Sequence, residues 1–176
     1  TVTDLKITEG GTLVADVDNA LPLTSALTID NGSIVVNGTG FGATSTEMTL
    51  SKGNLTLNKV LKDNTVKNIV MTKGTLTVAG DGDIGNAGNG EVELEAKGRL
   101  LLGKDLTLKT LTTADGSQIN TGDHALTVKP AAGLFLNAAV TGVLSLDISA
   151  GFKATLKKDV KGTVRFQAAA GVGSTL

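Results

Sequence analysis

Short runs of alternating apolar and polar residues recur along this chain, and each run is centred on a glycine. LTIDNGSIVV (27–36), MTLSKGNLTL (48–57) and IVMTKGTLTV (69–78) share one pattern. Apolar residues stand five and three positions before the glycine, and two and four positions after it. Alternation with period two predicts a strand with one buried face. Each run therefore predicts two short strands joined by a bend at the glycine, with a third short strand and loops in the residues between runs.

The hinge glycines recur at regular intervals, which indicates a repeated structural unit. We assign the hinges to Gly11, Gly32, Gly53, Gly74, Gly98, Gly116, Gly133 and Gly151. The interval between successive hinges is 21 residues as far as Gly74 and then changes to 24, 18, 17 and 18 residues. One such unit cannot bury its apolar face alone, but stacked units can. Drift in the second half is typical of solenoids, in which each coil must match only its neighbours.

These repeats predict an all-β fold, a right-handed parallel β-helix of about eight coils that occupies residues 1–176 as one solenoid domain. The alternatives are an antiparallel β-sandwich and a β-roll. A sandwich also has strands at short, regular spacing, but it does not require a glycine at the same phase of every unit. In the β-helix we expect Ile29, Leu50, Met71 and Leu94 to form one buried column.

Composition excludes several classes of function. Hydrophobic residues make up 40% of the chain, enough for a core, and the net charge of −1 creates no field that would attract nucleic acid. No apolar stretch is long enough to insert into a membrane. The absence of cysteine excludes disulfides and thiolate metal sites and fits an exported bacterial protein.

The glycine-centred runs, together with a composition rich in threonine, asparagine and glycine, resemble the coils of bacterial autotransporter passenger domains and related surface adhesins. This resemblance covers nearly the whole chain. It implies export, display at the cell surface and a scaffold role. It implies no particular activity, since unrelated functions are carried on the same fold.

One segment has the residues of a weak calcium site. DGDIGNAGNGE (81–91) contains four possible oxygen ligands, Asp81, Asp83, Asn86 and Glu91. Its spacing does not match the EF-hand loop, which requires glycine at position 6 and glutamate at position 12. Turn formation by glycine, asparagine and aspartate explains the same residues. We therefore expect a protruding, mobile loop over 81–90 and no cofactor.

Catalytic candidates are few. His124 is the only histidine, and Asp123 beside it should point to the opposite face of a strand, so we expect a solvated loop histidine. Glu91, Glu93 and Glu95 alternate with Val92, Leu94 and Ala96, which indicates a solvated strand face rather than a glycosidase pair. Lys52, Lys73 and Lys97 each precede a hinge glycine and should form an exposed row. No enzyme activity is predicted.

The chain is therefore expected to be a non-enzymatic structural or adhesive segment of a longer bacterial surface protein, located outside the cell or on its surface. The alternative is a self-assembling subunit of an extracellular fibre or surface layer; a polysaccharide-acting enzyme is the third possibility. Expected partners are other segments of the same chain or further copies of it, through the ends of the coil, and a receptor on a host surface or neighbouring cell. Nucleic acid and membranes are not expected partners.

Overall fold

The computed structural model describes residues 5–18, 27–38, 47–59, 68–81, 83–84, 90–129, 133–147 and 153–167. These residues form thirteen strands and no helix. The strands are β1 Leu5–Thr8, β2 Thr12–Ala15, β3 Leu27–Val36, β4 Glu47–Leu57, β5 Asn68–Val78, β6 Glu91–Leu102, β7 Leu106–Leu108, β8 Thr110–Thr113, β9 Gln118–Val128, β10 Leu134–Leu136, β11 Ala139–Asp147, β12 Ala154–Leu156 and β13 Val160–Gln167.

All of the strand pairs are parallel, and they build a β-solenoid. The main sheet runs in the order β1-β3-β4-β5-β6-β9-β11-β13, and β10 pairs with β12 in a second sheet. The predicted fold class is thus confirmed, and the β-sandwich is excluded because its strands would pair antiparallel. The right-handed sense of the coil stays a prediction.

The solenoid has about six turns, slightly fewer than the eight coils that the glycine count predicts. The main path contains eight strands, but only the six inner ones have described parallel neighbours on both sides. The two outer ones, β1 and β13, are each paired on one side among the described residues.

The core consists of columns of aliphatic side chains, one residue from each layer. The expected column is confirmed: Ile29, Leu50, Met71 and Leu94 are register partners in consecutive layers, and each is fully buried. A second column follows the hinge glycine and contains Ile34, Leu55, Leu76, Leu100 and Ile119. Burial of stacked aliphatic residues therefore supplies most of the driving force for folding.

The predicted pair of strands in each unit is in fact one continuous strand in β3, β4 and β5, with the hinge glycine inside it. Gly32, Gly53 and Gly74 are register partners, so the backbone bends at the same place in each layer. The bend shifts the alternation of inward and outward side chains by one residue. For this reason the residue three positions before the glycine and the residue two positions after it both point inward. The first layer instead has two separate strands, β1 and β2, because a turn at Glu9 and Gly10 with positive φ interrupts it. The layer that stacks on β6 is likewise divided into β8 and β9, by a turn at Gly116 with positive φ.

The hinge assignment in the second half is wrong for Gly133, which lies just before β10, and the position of Gly151 lies outside the described residues. The stacked glycines there are Gly142 and Gly162, which are register partners in β11 and β13. A Cβ atom on Gly162 would overlap the carbonyl oxygen of Gly142. The layers approach so closely here that no side chain fits between them. The repeat therefore continues, but with a different set of glycines.

The predicted inward position of Ala96 is also wrong, since Ala96 is exposed. In the pairing of β5 with β6, Met71 lies opposite Leu94, but Lys73 lies opposite Lys97. The register therefore shifts by one residue between these two pairs. One extra residue in β6 forms a bulge, and a bulge reverses which face the next residues occupy. Val92 and Leu94, before the bulge, are buried as expected.

The third short strand of each unit is confirmed in the second half as β7, β10 and β12. In the first half these residues lie outside the described ranges. The edge of the first layers is held by a side-chain ladder instead: Asn58 donates to Asn37 (2.8 Å), and Asn37 donates to Asp16 (2.7 Å). These residues recur every 21 positions, so the ladder follows directly from the repeat.

Candidate functional site

The calcium candidates do not converge in the part of the chain that the structure describes. Asp81 forms an ion pair with Lys59, which holds the pKa of that carboxyl below its usual value through a hydrogen bond. Glu91 lies 3.3 Å from Lys109. Asp83 is half-buried, and burial raises its pKa even though it accepts a hydrogen bond from the amide of Ile84 (2.8 Å). No described group of three acidic or histidine residues is placed to hold a metal ion. Asn86 lies outside the described residues.

The expected protruding, mobile loop over 81–90 is described only at residues 81, 83, 84 and 90, and two of these are buried. Ile84 is fully buried and belongs to the core. Gly90 is buried as well, and a Cβ atom there would overlap the carbonyl oxygen of Ile84. Residues 82 and 85–89 lie outside the described ranges.

Calcium should leave the melting temperature of this protein unchanged, because the carboxylates of Asp81 and Glu91 are already paired with lysines. A site with a micromolar dissociation constant would add about 4 kcal/mol at a thousandfold excess of calcium. In a chain of this size that corresponds to roughly ten degrees. Thermal melting with millimolar calcium, compared with magnesium and with a chelator, measures the effect. A rise of several degrees with calcium alone would establish a site.

His124 lies within strand β9 rather than in a loop, and it is partly exposed. Its Nδ1 atom is 3.7 Å from a carboxylate oxygen of Asp105. This is long for a hydrogen bond, and catalysis would also require a nucleophile within reach. The arrangement matches a polar contact at the surface.

The two charged rows are where the sequence predicts them. Glu91, Glu93 and Glu95 share the outer face of β6, all partly exposed. Lys73 and Lys97 are register partners. The residues of β4 on either side of Lys52 pair with the residues of β5 on either side of Lys73, so Lys52 belongs to the same row. The three lysines are exposed, and within the described residues none is in an ion pair. Such a row keeps a strand face soluble.

A surface groove across five layers, from β5 to β13, was not predicted from sequence. Two rows of outward side chains form it, separated by the inward-facing Leu100, Ile119 and Val140. One row consists of Thr75, Arg99, Gln118 and Ala139, and the other of Leu101, Asn120, Thr141 and Lys161; in each row neighbouring members are register partners. With Lys158 and Asp159 at one end, these residues enclose a volume of about 670 Å³. We call this feature the polar groove.

The polar groove carries unbalanced positive charge. Its lining includes three cations, Arg99, Lys158 and Lys161, and one carboxylate, Asp159. Lys158 is already paired with Asp115 at 2.8 Å, and this hydrogen bond lowers the pKa of the Asp115 carboxyl. Within the described ranges, Arg99 and Lys161 have no ion-pair partner. They are thus available to an anionic ligand.

Sequence reasoning missed the groove because its residues follow no constant interval. Asn120 and Thr141 are 21 residues apart, whereas Leu101 and Asn120 are 19 apart and Thr141 and Lys161 are 20 apart. Only the register of the folded layers aligns them. The available signal was the alternation of polar residues within QINTG (118–122), which places two amides on one face.

Comparison of this chain with protein-family models, curated proteins and solved structures finds no match. In the described ranges, no helix has the length and apolar character of a membrane span. The class of protein defined by the structure is a parallel β-solenoid with stacked polar rows on its surface.

Proposed function

We propose that this chain is a non-enzymatic structural or adhesive β-solenoid segment of an exported bacterial surface protein. The observation that carries the proposal is the regular stack of layers, which aligns exposed side chains of neighbouring strands into rows such as Lys52, Lys73 and Lys97. Adjacent layers are about 4.8 Å apart. A surface of this kind suits contact with an extended or repetitive partner better than it suits enclosure of a small substrate.

Three further features support this proposal. The core is continuous and aliphatic, so the coil is expected to be stiff without disulfides. The lysine row and the polar groove supply charged contacts that are open to a large partner. The resemblance of the coil pattern to autotransporter passengers and surface adhesins favours display on a bacterial surface.

Adhesion is tested directly with beads that carry the purified chain. We expect such beads to be retained under flow on a layer of bacterial or animal cells. Beads that carry the Leu55→Asp variant are the matched control, since that substitution should unfold the solenoid at an unchanged chain length. Equal retention of both kinds of bead would contradict an adhesive role. Turnover in a panel of glycan and peptide substrates would contradict a non-enzymatic one.

Self-assembly into a fibre or surface layer is the second candidate. It is favoured by strand β13, which in the described part of the chain pairs with β11 on one side only. An unpaired parallel edge is a template for another strand. Negative-stain electron microscopy of the purified chain distinguishes the two functions: filaments would favour self-assembly, and separate short particles would favour the adhesive segment.

A further inference from the structure

The polar groove has the shape of a site for a linear polymer. The row from Leu101 to Lys161 crosses four layers, a distance of about 14 Å along the solenoid at the spacing of parallel strands. The step between layers is close to the length of one pyranose unit in an extended polysaccharide. If a polysaccharide runs along the solenoid axis, each of its sugar units would therefore face about one outward side chain of each row.

The side chains of the groove also define the chemistry of its ligand. Arg99 and Lys161 lie in different layers and lack ion-pair partners among the described residues, so they offer two separate positive charges. An arginine guanidinium binds carboxylate or sulfate through two parallel hydrogen bonds. Between the two cations lie the amides of Gln118 and Asn120 and the hydroxyl of Thr141, which can donate to and accept from sugar hydroxyls.

We propose that the polar groove binds an acidic polysaccharide that lies along the solenoid axis. Arg99 and Lys161 pair with carboxylate or sulfate groups on different sugar units, and Gln118, Asn120 and Thr141 bind hydroxyl groups between them. This inference rests on the proposed adhesive function and names its ligand.

Charge, rather than stacking, must supply the affinity. The chain has no tryptophan or tyrosine, the residues that most often present a platform to neutral sugars, so a neutral polysaccharide would find only hydrogen bonds. Nucleic acid is less suitable, because its bases would also need aromatic platforms and the net charge of the chain is −1. Binding should accordingly weaken as the salt concentration rises.

The test is calorimetric titration of the full chain with four probes: polygalacturonate oligomers, dextran sulfate, neutral dextran and single-stranded DNA. The groove variant Arg99→Gln/Lys161→Gln removes both free cations. The matched control Lys52→Gln/Lys97→Gln removes the same charge from the exposed lysine row. All four side chains are exposed, so urea unfolding should give similar midpoints for both variants.

We expect one or both acidic polysaccharides to bind, and the two arms show whether carboxylate or sulfate is preferred. The groove variant should bind at least about tenfold more weakly and the control less than about threefold, because only the groove variant loses the charge-assisted hydrogen bonds of Arg99 and Lys161. Equal weakening in both variants, DNA binding as tight as polysaccharide binding, or binding of neutral dextran alone would overturn the inference. Bead retention without any polysaccharide binding would overturn it too, while the adhesive function would stand.

Discussion

Replacement of Leu55 by aspartate should unfold the solenoid. Leu55 is fully buried in the column between Ile34 and Leu76, where a carboxylate would have no polar partner among its described neighbours. Loss of the packed side chain and burial of a charged group together should cost about 5 kcal/mol or more. That equals the total stability of many domains. Urea unfolding followed by circular dichroism measures the change.

The damage from Leu55→Asp should extend beyond its own layer, since each coil is the template for the next. Under conditions in which some structure remains, amide hydrogen exchange should show lost protection in β3 and β5 as well as in β4. The control is Lys52→Ala in the same strand, an exposed position, which should change stability by about 0.5 kcal/mol or less. If Lys52→Ala were the more harmful substitution, the inward and outward faces of β4 would be reversed.

The first half of the fold was predictable because each repeat has the same length. A constant interval of 21 residues places like residues in register, so burial of Leu50 and Met71 follows from alternation. Lys52 and Lys73, two residues later and directly before the hinge glycine, are exposed because the bend there shifts the alternation. The bulge in β6 shows the limit of this reasoning. One extra residue moved Ala96 to the surface, and nothing in its local sequence distinguishes it from an inward alanine.

The second half was harder to predict because its stacked glycines do not follow a constant interval. Gly116, in the turn between β8 and β9, and the register partners Gly142 and Gly162 all have a positive φ, and a Cβ atom on each would overlap the backbone of the neighbouring layer. Gly133 has neither feature, yet sequence alone does not separate it from them. The polar groove was not predictable either, since it depends on a register that changes from layer to layer.

Replacement of Gly74 by alanine tests whether close contact between layers, rather than backbone flexibility, is what selects glycine at the hinge. A Cβ atom on Gly74 would overlap the carbonyl oxygen of Gly53 and lie 2.9 Å from the Gly53 amide nitrogen. Both neighbours are backbone atoms held in the ladder between β4 and β5, so neither can move aside cheaply. Gly74 also has a φ of +126°, which an alanine adopts only with strain.

We expect Gly74→Ala to destabilise the protein by roughly 3 to 5 kcal/mol, the sum of the overlap and the strained φ. Gly10→Ala is the control, since Gly10 has a φ of +79° but open space around its Cβ position. It should cost about 1 to 2 kcal/mol, from the strained φ alone. Urea unfolding of both variants gives the difference. Equal losses of unfolding free energy in the two variants would mean that positive φ alone selects glycine at the hinge. The close approach between layers would then not be the reason for the stacked glycines.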